Sequence, residues 1–424
     1  MHEGPRERSC PAAGREPAAG RFLCGASTAS HQVEGGNRYN DWWDFEQAGR
    51  LPFQSGDACR HFDLYEEDFD LARSLGHNAH RFSIEWSRIE PDEGQWSQSA
   101  LSHYLRVIDA LLERGIEPVV TLHHFTNPAW FTRTGGWTKR SSVDRFRRYV
   151  DFVAPQLCGR VRYFLTINEP TVYVKRAYVT GDWPPCRPGS WFGGLLAMRN
   201  QCRAHVVAYD ALHAHRPDAM VGFAHSAPHV EAKDPGRASD RMVAALRDFA
   251  MNGLPFALLG RRPRRVLDFI GLNYYTRQRV AWHPHGAAML FGAECKEQSG
   301  SRHRTFNSLG WEVYPAGLRF VLRRFARYGL PLMVTENGIA TDDEHLRDWF
   351  VAEHLRALDE ARSDGLPVCG YFYWSLMDNF EWTEGFNARF GLAAVDFESQ
   401  RREVRPAGER FREYCMTHRS GTEP

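Results

Sequence analysis

Eight short β-forming runs recur along the chain, at 21–28, 79–84, 117–122, 163–168, 220–226, 268–275, 330–337 and 368–375. Several, such as "EPVVTL" and "LPLMVTEN", are near-continuous in apolar residues rather than alternating. Such runs suit strands buried on both faces, which is the situation in a parallel sheet covered by helices. Between them lie segments with 3.6-residue periodicity at 63–76, 101–115, 141–159 and 345–365, several of them ending on Gly. Eight such repeats predict an α/β fold: a single-domain (β/α)8 barrel of the TIM type. A chain of 424 residues exceeds the ~250 of a bare barrel, so the βα loops must be enlarged. The stretches after strands one, four and six are long and rich in Trp, Gly and Pro. An open doubly wound sheet would require a Gly-rich phosphate loop after the first strand, and "GASTASHQVEGG" does not match that pattern. The expected organisation is a tail over 1–20, one domain over 21–415 and a short tail over 416–424.

Charge and cysteine usage narrow the function classes. The net charge of +1 offers no global field for nucleic acid, so no nucleic-acid partner is expected. The nine cysteines are odd in number and contain no C-x-x-C pair, which argues against a disulfide framework or a zinc knuckle. Scattered thiols fit a reducing compartment, and a cytoplasmic location is expected. The first twenty residues lack the apolar core of a signal peptide. No apolar stretch approaches the ~20 residues of a membrane helix, so no membrane partner is expected. Aromatic residues are abundant, with 13 Trp, and Trp rings suit the apolar face of a pyranose as well as a core.

Two strands end in carboxylates. "YFLTINEP" places Glu169 at the end of the fourth run, and "LPLMVTENG" places Glu336 at the end of the seventh. A (β/α)8 barrel carries its active site at the C-terminal strand ends, so the two tips should face one pocket. Two facing carboxyl groups are the minimal apparatus of glycoside hydrolysis, one protonating the leaving oxygen and the other attacking the anomeric carbon or activating water.

Seven ordered motifs, "ASTASHQVEGG", "RFSIEWSRIEP", "LHHF", "TINEP", "GLNYYT", "VTENG" and "YFYWSLMDNFEW", resemble those of glycoside hydrolase family 1, the retaining β-glycosidases. The resemblance spans about residues 22–404. It implies that Glu169 is the general acid/base and Glu336 the nucleophile of a double displacement, with carboxyl groups about 5–5.5 Å apart. By the same resemblance Arg81, Asn168 and Tyr275 support catalysis, Asn168 by holding the sugar 2-hydroxyl. Gln32, His124, Asn273, Trp374, Glu381, Trp382 and Phe390 are the implied substrate-binding residues. Glu381 stands where members that cleave 6-phosphoglycosides lack a carboxylate, and Glu169 is not the Gln of the thioglucosidase branch. The implied substrates are unphosphorylated O-linked β-glycosides or short oligosaccharides, β-glucosides first, with no cofactor and no metal. Departures from the family pattern include Cys24, His80, Ala177 and Cys186, and a shortened segment between "SAPHVEAK" and "DFIGLNYY".

Alternatives remain open at this level. A transglycosidase, or a β-galactosidase or β-fucosidase, would share every catalytic residue. An inactive sugar-binding barrel would have no need of both Glu169 and Glu336. A metal-dependent hydrolase would need clustered ligands, and the adjacent histidines of "LHHF" point to opposite sides of a strand. Either a monomer or a homo-oligomer is compatible with the sequence.

Overall fold

A computed structural model describes residues 21–295 and 304–419. Eight parallel strands form a closed barrel: β1 (Leu23–Ser27), β2 (Ala79–Ser83), β3 (Glu117–Thr121), β4 (Tyr163–Asn168), β5 (Met220–Ser226), β6 (Ile270–Asn273), β7 (Leu332–Asn337) and β8 (Val368–Trp374). Each strand pairs with its neighbours in chain order, and β8 closes on β1. The (β/α)8 architecture is therefore the one that the eight apolar runs predict, and every run contains its strand.

The helices are α1 (His61–Ser74), α2 (Gln98–Glu113), α3 (Ser141–Leu157), α4 (Trp191–His215), α5 (Ala238–Asp248), α6 (Pro315–Ala326), α7 (Glu344–Ser363) and α8 (Pro406–Arg419). Their apolar faces cover the outside of the barrel. Alternate strand residues point inward, and Leu23, Val119, Leu165, Met220, Met333 and Phe372 fill the barrel floor. The enlarged loops after β5 and β6 build a second small sheet from short strands such as His229–Ala232 and Arg277–Ala281.

Strand register is irregular at two tips. The β4–β5 pairing shifts between Leu165 and Asn168, and the β6–β7 pairing shifts between Val334 and Glu336. Both irregularities lie where a carboxylate must be turned toward the barrel mouth. Gly338, directly after that β7 tip, passes so close to β8 that a Cβ there would sit 1.9 Å from the Trp374 carbonyl oxygen. Only glycine permits that approach.

One expectation needs correction. Cys24 on β1 and Cys415 on α8 form a disulfide with Cα atoms 5.6 Å apart, although the cysteine pattern argued against such bonds. The pair is 391 residues apart in sequence, so no local spacing marks it. α8 continues to Arg419, and the His418 ring packs 5.8 Å from that of Phe22. The helical run Ala238–Arg265 is long and apolar enough, by length and composition alone, to cross a membrane, a test that core helices of soluble proteins also pass. It escapes a search for unbroken apolar runs because Arg247 and Asp248 interrupt it. The expected tail over 1–20 and residues 420–424 lie outside the described residues.

The disulfide ties the first strand to the last helix and closes almost the whole chain into one loop, which restricts the unfolded state. Cys415→Ser is expected to lower unfolding stability by about 2–4 kcal/mol under oxidising conditions. Denaturant titration checks this, and the loss should vanish when both proteins are measured fully reduced.

Candidate active site

The mouth of the barrel holds a cleft of about 580 Å³. Ten of the twelve residues singled out from sequence line it: Gln32, His124, Glu169, Asn273, Tyr275, Glu336, Trp374, Glu381, Trp382 and Phe390. The other two, Arg81 and Asn168, are buried against the carboxylates.

Glu169 follows β4 and precedes the short helix Pro170–Val174. Its φ is +43°, a left-handed conformation uncommon for a residue with a side chain. Its backbone N–H donates to Ala224 on β5 at 2.8 Å, which holds the turn. Pro170 suits the first helical position, where its missing N–H costs nothing. The side chain is turned inward and is 7% exposed.

Glu336, on β7, is 4% exposed and is held at both oxygens. Arg81 Nη1 donates to Oε1 at 2.5 Å, and the Tyr275 hydroxyl donates to Oε2 at 2.6 Å. Arg81 comes from β2 and is itself fully buried. Its remaining donors reach Thr121 Oγ1 at 3.2 Å, the Thr335 carbonyl at 3.0 Å and Asn168 Oδ1 at 2.7 Å. A buried guanidinium without a carboxylate would be costly, so the pair specifies its own geometry.

Asn273, at the end of β6, links the two halves. Its amide donates to Glu169 Oε1 at 2.9 Å and to Asn168 Oδ1 at 3.2 Å, and its own oxygen accepts from Thr335 at 2.6 Å. Asn168 in turn donates to His124 Nε2 at 3.2 Å. That bond leaves the proton of a neutral His124 on Nδ1. Burial, with the positive charge of Arg81 adding to it, holds the imidazole pKa well below its usual range. His124 is therefore neutral.

On the opposite wall, Gln32 donates to Asn379 and to Glu381 Oε2, both at 3.0 Å. The His124 ring lies nearly parallel to that of Trp374 at 5.8 Å. Phe390 closes the far side, its ring edge-on to Tyr275 at 6.1 Å. Gln32 Oε1 and His124 Nδ1 are buried with no protein partner, and such atoms normally have one. A polyhydroxylated ligand in the cleft would supply it.

The two strand-end carboxylates sit in different fields. Burial first, and then the neighbouring charge of Glu336, push the Glu169 pKa up to about 8. Arg81 and Tyr275 instead donate to both oxygens of Glu336. One group is thus a proton donor at neutral pH, and the other a carboxylate paired with a buried guanidinium in the same cleft. Such a pair can transfer a proton and a nucleophilic oxygen to one bound substrate. Burial and the same Glu336 charge also raise Glu381 to about 8.

Thr121, Thr335 and Asn379 anchor the network and Trp311 lines the cleft, yet sequence reasoning singled out none of them. Thr335 stands next to Glu336 inside "VTENG", which was its one available signal. Trp311 lies in a loop with no motif of its own.

The sequence profile of glycosyl hydrolase family 1 matches residues 15–259 and 261–419. The chain is 35% identical to a β-glucosidase of Agrobacterium sp., over 92% of this chain and 93% of that one. It is 30% identical to a 6-phospho-β-galactosidase of Lacticaseibacillus casei, over 94% and 98%. Among solved structures, a β-glycosidase from Pyrococcus horikoshii superposes with a TM-score of 0.86 at 41% identity, covering 94% of each chain.

The raised Glu169 pKa sets the expected pH profile. Its acid form is present below about pH 8 and is lost above it, so kcat/KM should fall with an alkaline limb near pH 8. The Asn273 bond favours the ionised form of Glu169, so Asn273→Ala should move that limb to higher pH. A limb that stays in place would show that another group controls it.

Proposed function

The chain belongs to glycosyl hydrolase family 1, and on that premise we propose that it is a retaining β-glucosidase acting on unphosphorylated O-glycosides. That it is an O-glycosyl hydrolase follows from the family; the choice of glucose is the proposal. The observation that carries the mechanism is the unequal treatment of two buried carboxyl groups in one cleft.

In the first step a Glu336 oxygen attacks the anomeric carbon. The glycosidic C–O bond breaks, its electron pair goes to the leaving oxygen, and that oxygen takes the Glu169 proton. Glu336 is now an ester and no longer a charge. The Coulombic contribution that raised Glu169 disappears with it, so Glu169 can remain ionised and accept a proton from water. Water then attacks the same carbon, the ester bond breaks, and Glu336 returns as a carboxylate. Two inversions give net retention. Asn168, held by Arg81 and Asn273, is assigned the 2-hydroxyl by the family resemblance, and Gln32, His124 and Glu381 the remaining hydroxyls.

Exclusion of phosphorylated sugars rests on the acidic cluster of Glu381, Glu336 and Glu384. Gln32 donates to Glu381, and although burial keeps Glu381 largely protonated below about pH 8, the charges of Glu336 and Glu384 remain. A phosphate dianion would be repelled there. The preference for glucose is supported by the Agrobacterium relative.

Incubation with a 2-deoxy-2-fluoro-β-glucoside bearing a good leaving group should leave a stable adduct on the peptide containing Glu336. Glu336→Ala should abolish hydrolysis. Turnover of a fluoroglucoside with no adduct would reject the covalent mechanism. Glu169→Ala should lose about 10²–10⁴-fold on substrates with poor leaving groups and much less on activated aryl glucosides. Equal losses on both would remove Glu169 from the acid role. An aryl 6-phosphoglucoside should be cleaved far more slowly than its unphosphorylated counterpart.

A further inference from the structure

Eight of the thirteen large apolar side chains exposed among the described residues fall within 191–195 and 242–289. On α5 and the π-helical turn that continues it, the outward positions Met242, Ala245, Leu246 and Phe249 recur at helical spacing, while Asp240, Val243 and Ala244 are buried. A helix lying on a water-facing surface normally turns its polar side outward. Here the apolar stripe is outside.

This stripe joins its neighbours in one face. Trp191, at the start of α4, stacks on Phe291 at 6.1 Å. The turn after Phe291 lies against α5, since a Cβ on Gly292 would meet Val243 at 2.9 Å. The Trp282 backbone donates to Asp240 of α5 at 3.0 Å. Phe192, the next residue of α4, is 73% exposed.

Charge is segregated around it. Between 233 and 265 there are seven exposed cations against one exposed acid, Asp234, in a chain whose net charge is only +1. Lys233, Arg237 and Arg241 flank one end of the stripe, and arginines 261, 262, 264 and 265 follow the other.

We propose that this face docks on a lipid surface rich in anionic headgroups. Apolar side chains enter the headgroup boundary while the flanking cations meet the anionic lipid. A second copy of the chain fits less well, because it would bring the same cations against each other. The run Ala238–Arg265 lies on the bilayer rather than crossing it. It is bent at a π-helical turn, Phe249–Gly253, carries Pro255 and ends in the arginine cluster. Such a face is invisible to a search for unbroken apolar runs, and the proposal replaces the expectation of no membrane contact. Met251 of this run lines the active-site cleft, so docking places the cleft mouth beside the lipid.

The test is co-sedimentation of the full chain with vesicles of phosphatidylcholine alone and of phosphatidylcholine mixed with phosphatidylglycerol. The double variants Phe192→Ser/Phe249→Ser and Arg237→Glu/Arg241→Glu are run in parallel. Hydrolysis of a soluble aryl β-glycoside reports folding and should be unchanged in both. The protein should partition onto the mixed vesicles, and each double variant should reduce that partitioning about tenfold or more. No binding to either vesicle overturns the proposal. So does binding that survives Phe192→Ser/Phe249→Ser, which would be unspecific adsorption of a basic patch. Dimers in light scattering that the same variant abolishes would assign the face to a second copy instead.

Discussion

The buried guanidinium of Arg81 is the interaction on which the active-site geometry rests. It rises from β2 and bonds to β3 through Thr121, to β4 through Asn168, and to β7 through Thr335 and Glu336. Four strand tips are thereby set relative to one another by a single planar group whose donors have fixed directions. A lysine could supply the charge but not the fork. Desolvating that cation is repaid only with Glu336 ionised and Asn168 turned oxygen-first toward it. Asn168 then has its amide free for His124, which sets the imidazole tautomer. One buried charge thus orients a nucleophile, an amide and a histidine together.

Separation of the two carboxyl groups follows from the same arrangement. Arg81 and Tyr275 serve Glu336, while Glu169 receives Asn273 alone among the strand-tip amides and carries the cost of burial near another negative charge. Because the largest part of the Glu169 shift is desolvation, it depends on the closed walls of the cleft and not on any single partner. The Glu336 contribution is the switchable part, since it is present before the first chemical step and absent after it.

The barrel was legible because strands buried on both faces read as near-continuous apolar runs. "YFLTIN" at 163–168 became β4 over those same residues, and "LPLMVTEN" contains β7. The carboxylates at their ends were legible because strand-end position has a fixed meaning in this fold. Contacts that depend on distant pairing were not legible. Cys24 and Cys415 meet only because β1 and α8 are adjacent once the barrel closes. Cys186 stands where the family often has Gly, and its φ of +55° gives the physical reason for glycine there, though nothing around it in the sequence announces that conformation. Thr121 and Thr335 look like ordinary β-branched strand residues until Arg81 and Asn273 are placed beside them.

The same division explains how such a site can tolerate an unusual surface. The polar partners of Glu169 and Glu336 named above are residues in strands or at their ends, packed on a floor of buried side chains. The apolar face belongs to the long connections after β4, β5 and β6, parts of which also line the cleft through residues such as Met251 and Glu294. Length and composition in those connections can change without moving Arg81, and the shortened segment before β6 lies in that region. A barrel that fixes its chemistry at the strand ends leaves its loops free to decide where the cleft is presented.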